Sequence, residues 1–452
     1  MGENKRYIVR AASDLNKDDI YLTVKGWEKV PYLKDEIKKR NLDMKDFESM
    51  NPQQLVEILF KEGIVTKPEN VVNGQLGPSD IDKYFGYLIS TSGTTGNPKI
   101  FRFTSLGDGL VVYAQTGKDI VIKYFPENYP VDSAFPPQPS ASGVMATHAL
   151  LHVYLIDGKS YPYRQIPPQL LTPENFKLLV NTLVQRKPRV LIGLTTHVNN
   201  MLKALPKDVI KDLEVIVVAG EPYFLPIHNI ENFDGYVIDI YGAGELGIPL
   251  YSIAKAGKEK SLFKLTKGAI TLEIKEPFIQ PDRHVAEVYV TKFAVNVPGS
   301  PRIDPLGLYA INHKIGDIAE INSEGDIVRF LRSNDMISLA GAKLLLSQVA
   351  DVVSKFSETY PLSDFVVEYY PLSERNPKPR AIIYVGYETE IENKRNLEEE
   401  IRQKIFEINH PVNYEVNLTK AAELEVKLIP SKEILQKQYP RPGKTKRLYV
   451  IE

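Results

Sequence analysis

Residues 90–99 read Ser-Thr-Ser-Gly-Thr-Thr-Gly-Asn-Pro-Lys, directly after the apolar run Tyr87-Leu88-Ile89. Hydroxyls at Ser92, Thr94 and Thr95 are crowded among Gly93 and Gly96, and a cation follows at Lys99. Glycine lets a backbone wrap closely around an anion. Hydroxyl and bare N–H groups can then donate to phosphate oxygens, and a lysine adds a compact positive charge. A polar turn between two strands is the plain alternative, since the same residue types build turns. The order of residues excludes two other phosphate loops. Lys99 stands three residues after Gly96 with Pro98 between, unlike a P-loop, and no Gly-x-Gly-x-x-Gly is present here.

Three further stretches carry chemistry-bearing residues. Tyr241-Gly242-Ala243-Gly244-Glu245 follows the apolar run 236–240, and ligands of α/β proteins gather at the carboxyl ends of such strands. Tyr241 could stack on a flat ring that the glycines let approach, and Glu245 could help hold Mg²⁺ on phosphates. The plain reading is a tight turn with a solvated glutamate. Lys314-Ile315-Gly316-Asp317 places a carboxylate where it could accept both hydroxyls of a ribose, although Gly-Asp is also a common turn. The run Pro440-Arg441-Pro442-Gly443-Lys444-Thr445-Lys446-Arg447 reads, taken alone, as a basic tail for an acidic surface.

Together these stretches resemble the acyl-adenylate-forming superfamily, which includes acyl-CoA synthetases, luciferases and peptide-synthetase adenylation domains. Thr91 to Lys99 match that family's Thr-Ser-Gly-Thr-Thr-Gly-x-Pro-Lys throughout. Tyr241 to Glu245 resemble its Tyr-Gly-x-Thr-Glu, with Gly244 in place of the threonine that commonly contacts phosphate. Ala219-Gly220-Glu221-Pro222 is similar to its Gly-Gly-Glu-Pro turn beside the adenine. Asp317 falls on its ribose-binding aspartate. Arg332 to Gly341 has the spacing of its hinge motif, with Arg332 at ribose or phosphate, Asn334 at the pivot, and Lys343 where a basic residue meets the thiol acceptor or the N-terminal domain. Lys444 and Arg447 fit its C-terminal Gly-Lys-x-x-Arg, whose lysine stabilises the charge that develops during adenylation. Within the superfamily the chain is most similar to the phenylacetate–CoA ligase group, on Val30-Pro31-Tyr32, on Asn334-Asp335-Met336-Ile337 to Ser347-Gln348-Val349, and on the tail.

The resemblance implies a particular chemistry. ATP and Mg²⁺ bind, a carboxylic acid attacks the α-phosphate, and pyrophosphate leaves. Coenzyme A then takes the acyl group. Thr91, Ser92, Gly93, Thr94, Thr95, Gly96 and Lys99 would hold the leaving phosphates. Gly220, Glu221, Pro222, Tyr241, Gly242, Ala243, Asp317, Arg332 and Lys343 would bind nucleotide or thiol, Glu245 would support the metal, and Lys444 would be catalytic. Three alternatives stay open: adenylation without coenzyme A (carrier loading or AMP transfer to another molecule), a non-catalytic nucleotide-binding paralogue suggested by Gly244 and Asn334, and a nucleic-acid-binding protein using the basic tail.

Composition narrows these. The 452 residues suggest two or three domains. A 43% hydrophobic and 25% charged content is ordinary for a globular protein. A formal net charge of −1 implies no polyanion partner. The lack of cysteine excludes disulfides, thiolate catalysis and thiolate metal sites. No run is long and apolar enough for a membrane helix, and the polar start Met-Gly-Glu-Asn-Lys-Arg is no signal peptide. Cytoplasmic residence is the expectation, with no nucleic-acid or membrane partner and a homodimer left open.

The elements that must position these residues are legible as patterns. Residues 30–62, 106–124 and 175–185 carry helical spacing. Tyr84 to Ser90 reads as a strand entering the loop. Val190 to Gly193, Leu213 to Val218 and Tyr236 to Tyr241 are compact apolar runs suited to parallel strands buried on both faces. After about 265, Leu272-Glu273-Ile274, Ala286 to Thr291 and Ile318 to Ile321 alternate apolar and polar residues, which suggests a small antiparallel β subdomain, and Ser323 to Asp326 reads as a hairpin turn. The pattern resets near 336, with helices at 347–356 and 397–408 and strands at 365–370 and 381–387. The expected architecture is α/β: an N-terminal adenylate-forming domain, 1–333, of mixed sheets, helices and a small β subdomain, then a small mobile α+β domain, 334–452. The acid is not specified. Ser140 to His152 and Ile192 to Met201 are candidate pocket walls.

Overall fold

The computed structural model describes residues 7–12, 15–77, 86–90, 100–104, 122–127, 129–135, 161–171, 175–219, 232–243, 246–256, 262–280, 283–293, 310–332, 336–340, 342–373, 376–438 and 447–451. They fall into two compact units. The first comprises 1–221, 227–276 and 285–330; the second comprises 331–452 with the short pieces 222–226 and 277–284.

The first unit holds β1 (Tyr7–Ala11), β2 (Gly86–Ser90), β3 (Ile100–Thr104), β4 (Val131–Ala134), β5 (Tyr163–Gln165), β6 (Val190–Leu194), β7 (Val215–Ala219), β8 (Tyr236–Ala243), β9 (Gly247–Lys255), β10 (Lys264–Leu265), and most of β11 (Ala269–Gln280), β12 (Arg283–Lys292), β13 (His313–Asn322) and β14 (Ile327–Arg332). A seven-stranded sheet runs β10-β9-β8-β7-β6-β4-β5. Its members β5, β4, β6, β7 and β8 are mutually parallel. Val190 to Leu194 are buried at every position, as are Val215 to Val218, which is the expected signature of a strand covered on both faces. The helix Phe176–Arg186 lies just before β6 and Thr195–Ala204 just after it.

A five-stranded sheet runs β1-β11-β12-β13-β14. Several of its polar residues are buried. Thr271, Glu273, Thr291 and Glu320 are all 0% exposed. Glu273 is stabilised by Arg10 Nε at 2.7 Å and by the Thr271 hydroxyl at 3.2 Å. Arg10 lies on β1, which pairs antiparallel with β11. These polar residues are partnered core residues, because a buried charge persists only when paired. Four short helices, Lys17–Trp27, Pro31–Lys39, Met44–Phe47 and Pro52–Lys61, cover this region with Trp27, Leu33, Phe47 and Leu59 packed in one cluster with Ile270 and Leu272. Most of the expected helix at 106–124 lies outside the described residues; Ile122–Tyr124 form a single 3₁₀ turn.

The second unit begins with the hairpin β15 (Met336–Leu339) and β16 (Ala342–Leu345) and the helix Leu346–Ser357. A four-stranded sheet follows, with order β19-β18-β17-β20, from β17 (Leu362–Tyr370), β18 (Arg380–Tyr387), β19 (Glu423–Pro430) and β20 (Leu448–Val450). The helices Leu346–Ser357, Lys394–Ile408 and Ser431–Gln438 complete it. Helix Lys394–Ile408 buries Leu397, Ile401 and Ile405 at spacings of four, so the pattern read from sequence is the face that packs.

Candidate active site

The carboxyl ends of the parallel strands β4, β6, β7 and β8, at Ala134, Leu194, Ala219 and Ala243, share one edge of the seven-stranded sheet. A ring nitrogen of His197, on the helix after β6, lies 3.4 Å from the Ala134 carbonyl. Gly193 permits this crowding, since a Cβ there would sit 2.9 Å from the Ala134 Cβ. Of the candidate pocket walls, Val198 and Met201 are fully buried and belong to the core instead; His197 is half-buried. His148 and the stretch 140–152 lie outside the described residues.

Tyr241, near the end of β8, is the best-defined group at this edge. Its phenol donates to Asp317 Oδ2 at 2.8 Å. Its ring stacks on Phe330 with centroids 3.9 Å apart and planes at 19°. Phe330 in turn meets Phe263 edge-on at 5.2 Å and 89°. Two residues chosen from separate stretches of sequence are thus joined by a hydrogen bond, and one face of the Tyr241 ring already has a protein partner. A flat ligand ring would have to use the other face.

Backbone geometry explains two glycines in these motifs. Gly316 has φ +85°, a conformation that side-chain-bearing residues avoid, and it lies within β13 directly before Asp317 rather than ahead of the strand as the sequence suggested. Gly242 lies at a register shift between Tyr241, paired with Leu250, and Ala243, paired with Gly247, where β9 carries one extra residue opposite it. A Cβ at 242 would lie 2.8 Å from the Gly247 carbonyl oxygen. The expected reason for this glycine was close approach of a ligand. The observed reason is close approach of the chain's own neighbouring strand.

Two charged residues beside this cluster were not singled out from sequence. Asp239 precedes Tyr241 by two positions on β8 and shares its face of the strand. Burial pushes its carboxyl up to about 7, against the opposing charge of Arg329 on β14. No motif marks either residue. A charged residue inside the apolar run 236–241 was the only available signal.

The phosphate-loop candidate, 91–99, lies outside the described residues, but its flanks do not. β2 and β3 pair antiparallel with Ser90 opposite Ile100, so the two ends of the loop are brought together. Gly220, Glu221, Pro222, Gly244, Glu245, Asn334 and Lys444 also lie outside, as does the Arg332 side chain. Lys343 is on β16 opposite Ser338, and its carbonyl accepts from Asn409 Nδ2 at 2.9 Å. Arg447 is 7% exposed and makes a two-pronged ion pair with Asp364, Nη2 to Oδ2 at 2.9 Å and Nε to Oδ1 at 3.2 Å. The end of the basic run is therefore an internal anchor, which removes it from any solvated tail. Among the described residues no group of three or more His, Cys, Asp or Glu could hold a metal ion, and no helix is long and apolar enough to cross a membrane.

No family model matches the chain, and no curated protein matches it. Solved structures do. A 2-hydroxyisobutyryl-CoA ligase in its post-adenylation state is 14% identical, with a TM-score of 0.67 over 98% of this chain and 90% of that one. The same ligase in its thioesterification state, bound to 2-HIB-AMP and coenzyme A, gives 15% identity and a TM-score of 0.52 over 97% and 90%. An ATP-bound RpMatB–BxBclM chimera gives 15% and 0.50 over 80% and 66%. The chain has the fold of the AMP-forming acyl-CoA ligases, an α/β fold with a large N-terminal and a smaller C-terminal part. The fold agrees with the superfamily that the motifs resemble.

Proposed function

We propose that this protein is an AMP-forming acid–thiol ligase. A carboxylate oxygen attacks the α-phosphorus of ATP, the bond to the bridging oxygen breaks, and pyrophosphate leaves. The thiol of coenzyme A then attacks the acyl carbon, and AMP leaves. The observation that carries this reading is the hydrogen bond between Tyr241 and Asp317 at the carboxyl end of β8. It unites the proposed ring-stacking and ribose-binding residues within a fold shared with ligases that handle the same nucleotide. The remaining roles follow the motifs: residues 91–96 with Lys99 cradle the leaving phosphates, Gly220 to Pro222 flank the adenine, Arg332 meets ribose or phosphate, and Lys343 serves the acceptor.

Glu245 follows β8 by two residues and offers the hard oxygen donor that Mg²⁺ prefers; the ion would neutralise phosphate charge. Lys444 would align carboxylate and α-phosphate and stabilise the developing charge. Residues 334–452 would act as a mobile domain pivoting at Asn334. Aryl and short aliphatic acids are equally open as the substrate.

ATP–pyrophosphate exchange over phenylacetate, benzoate, 2-hydroxyisobutyrate and malonate, each with and without coenzyme A, tests this. Exchange with at least one acid and thioester formed on adding coenzyme A are expected. Exchange without thioester would make this an adenylating enzyme with another acceptor. A chain inert with every acid would overturn the reading.

A further inference from the structure

Tyr241 is held at two points by residues from two other strands. Its phenol donates to Asp317 Oδ2 of β13 at 2.8 Å. Its ring lies against that of Phe330 on β14, with centroids 3.9 Å apart and planes at 19°. The two contacts do different work. The phenol oxygen lies on the axis about which the ring turns, so the bond to Asp317 fixes where the tip points and leaves the plane of the ring undetermined. That last torsion of a tyrosine is broad when nothing restrains it. A face-on partner restrains it, and Phe330 is that partner. Phe330 is itself held: it is 6% exposed, in a cluster with Leu250 and Ile327, and Phe263 meets it edge-on at 5.2 Å. Phe263 is tied to the same strand by its N–H, which donates to the Ile327 carbonyl at 2.9 Å. All of these residues belong to the first unit.

The stack is also closer than rings choose on packing grounds alone. Aromatic pairs favour offset or edge-on arrangements with centroids about 4.5–7 Å apart, which Phe263 and Phe330 adopt. We propose that Phe330 is a positioning residue for the nucleotide: it backs the Tyr241 ring and so fixes the plane of the opposite face, on which a flat ligand ring stacks. The inference rests on the ring-stacking role proposed above for Tyr241. Phe330 touches no ligand atom and acts through Tyr241 alone. The plain reading of Phe330 is an ordinary core residue whose loss only destabilises the fold.

Titration calorimetry with ATP and Mg²⁺ separates the two without an acid substrate. F330L removes the ring and keeps an apolar side chain; F330Y keeps the ring and serves as the conservative rescue. A stacked ring pair is worth about 3- to 10-fold in an equilibrium constant, so F330L should weaken ATP binding by about that factor, and F330Y should bind near wild type. Y241A should lose more. The double variant of F330L and Y241A should bind ATP no worse than Y241A, because residues that act as one unit are not additive. F263L serves if F330L folds poorly by circular dichroism; it removes only the edge contact and should show a smaller loss with the same non-additivity. A lowered melting temperature with unchanged ATP affinity in F330L would make Phe330 ordinary core and overturn the proposal. So would additive losses in the double variant. If Y241A itself binds ATP as wild type does, the role of Tyr241 falls and this inference falls with it, whereas a Y241A defect with no F330L defect strikes this inference alone.

Discussion

Asp239 and Asp364 each sit on a strand of a central sheet, one in each unit, and each faces an arginine, yet their carboxyls shift in opposite directions. For Asp239 burial dominates and pushes the group up to about 7, with Arg329 opposing too weakly to prevail. For Asp364 burial also pushes up, but the charge of Arg447 and the hydrogen bonds from Arg447, Gln438 and the Phe365 N–H outweigh it and hold the carboxyl below its ordinary range. The lesson is that an arginine's charge prevails over burial when directed hydrogen bonds act with it, because they replace the water that burial removed.

The largest effect expected from this difference is on stability. Replacing Arg447 with methionine leaves Asp364 buried and unpaired, and breaking a buried pair from one side costs about 3–5 kcal/mol. Urea unfolding at neutral pH should show that loss. The contribution of Asp364 is present above the pKa it has in the unfolded chain and fades as pH falls through its lower folded value, so the gap between wild type and R447M should close in acid. A gap that widened in acid would contradict the ion pair. The same substitution at Arg329 should cost far less, since the partner there is only weakly engaged.

Tyr241→Phe comes next. It removes one hydrogen bond to Asp317 and keeps the stack on Phe330, and a typical bond of this kind contributes about 0.5–1.5 kcal/mol. The expected outcome is a small loss in melting temperature with a raised KM for ATP. An unchanged KM would detach the Tyr241–Asp317 pair from nucleotide binding.

How much of this was legible in the sequence differs from element to element. The parallel strands were readable because burial on both faces demands unbroken apolar runs, and β6 and β7 supply them. The alternation of the five-stranded sheet was readable, but the burial of Glu273 was not, because its partner Arg10 lies far away in sequence. In the site, Tyr241 and Asp317 stood out through their motifs. Phe330, which carries the Tyr241 ring, did not, because an aromatic residue in an alternating strand is indistinguishable from ordinary core. Gly242 was noticed for the wrong reason, since no local pattern reveals that the Gly247 carbonyl lies where its Cβ would be. Arg447 fitted a motif by its spacing, but its anchoring was not readable because its partner Asp364 comes from another element. In each case the missing information was a contact distant in sequence.

The pH dependence of Asp239 is the sharpest test of the comparison. Asp239 holds its proton up to about 7 in the folded chain, against an ordinary value of 3.8. Between those values the folded state binds more proton than the unfolded one, so stability falls as pH rises through that window. Asp239→Asn removes the titrating group while keeping its size and donors. Its stability relative to wild type should be lowest near pH 4 and rise toward pH 7, the reverse of what D364N should show over its own, more acidic range. Melting temperatures of both variants across pH 3–8 measure this directly. If the D239N difference were flat with pH, Asp239 would be ionised throughout, Arg329 would be engaging it as fully as Arg447 engages Asp364, and the contrast between the two aspartates would disappear.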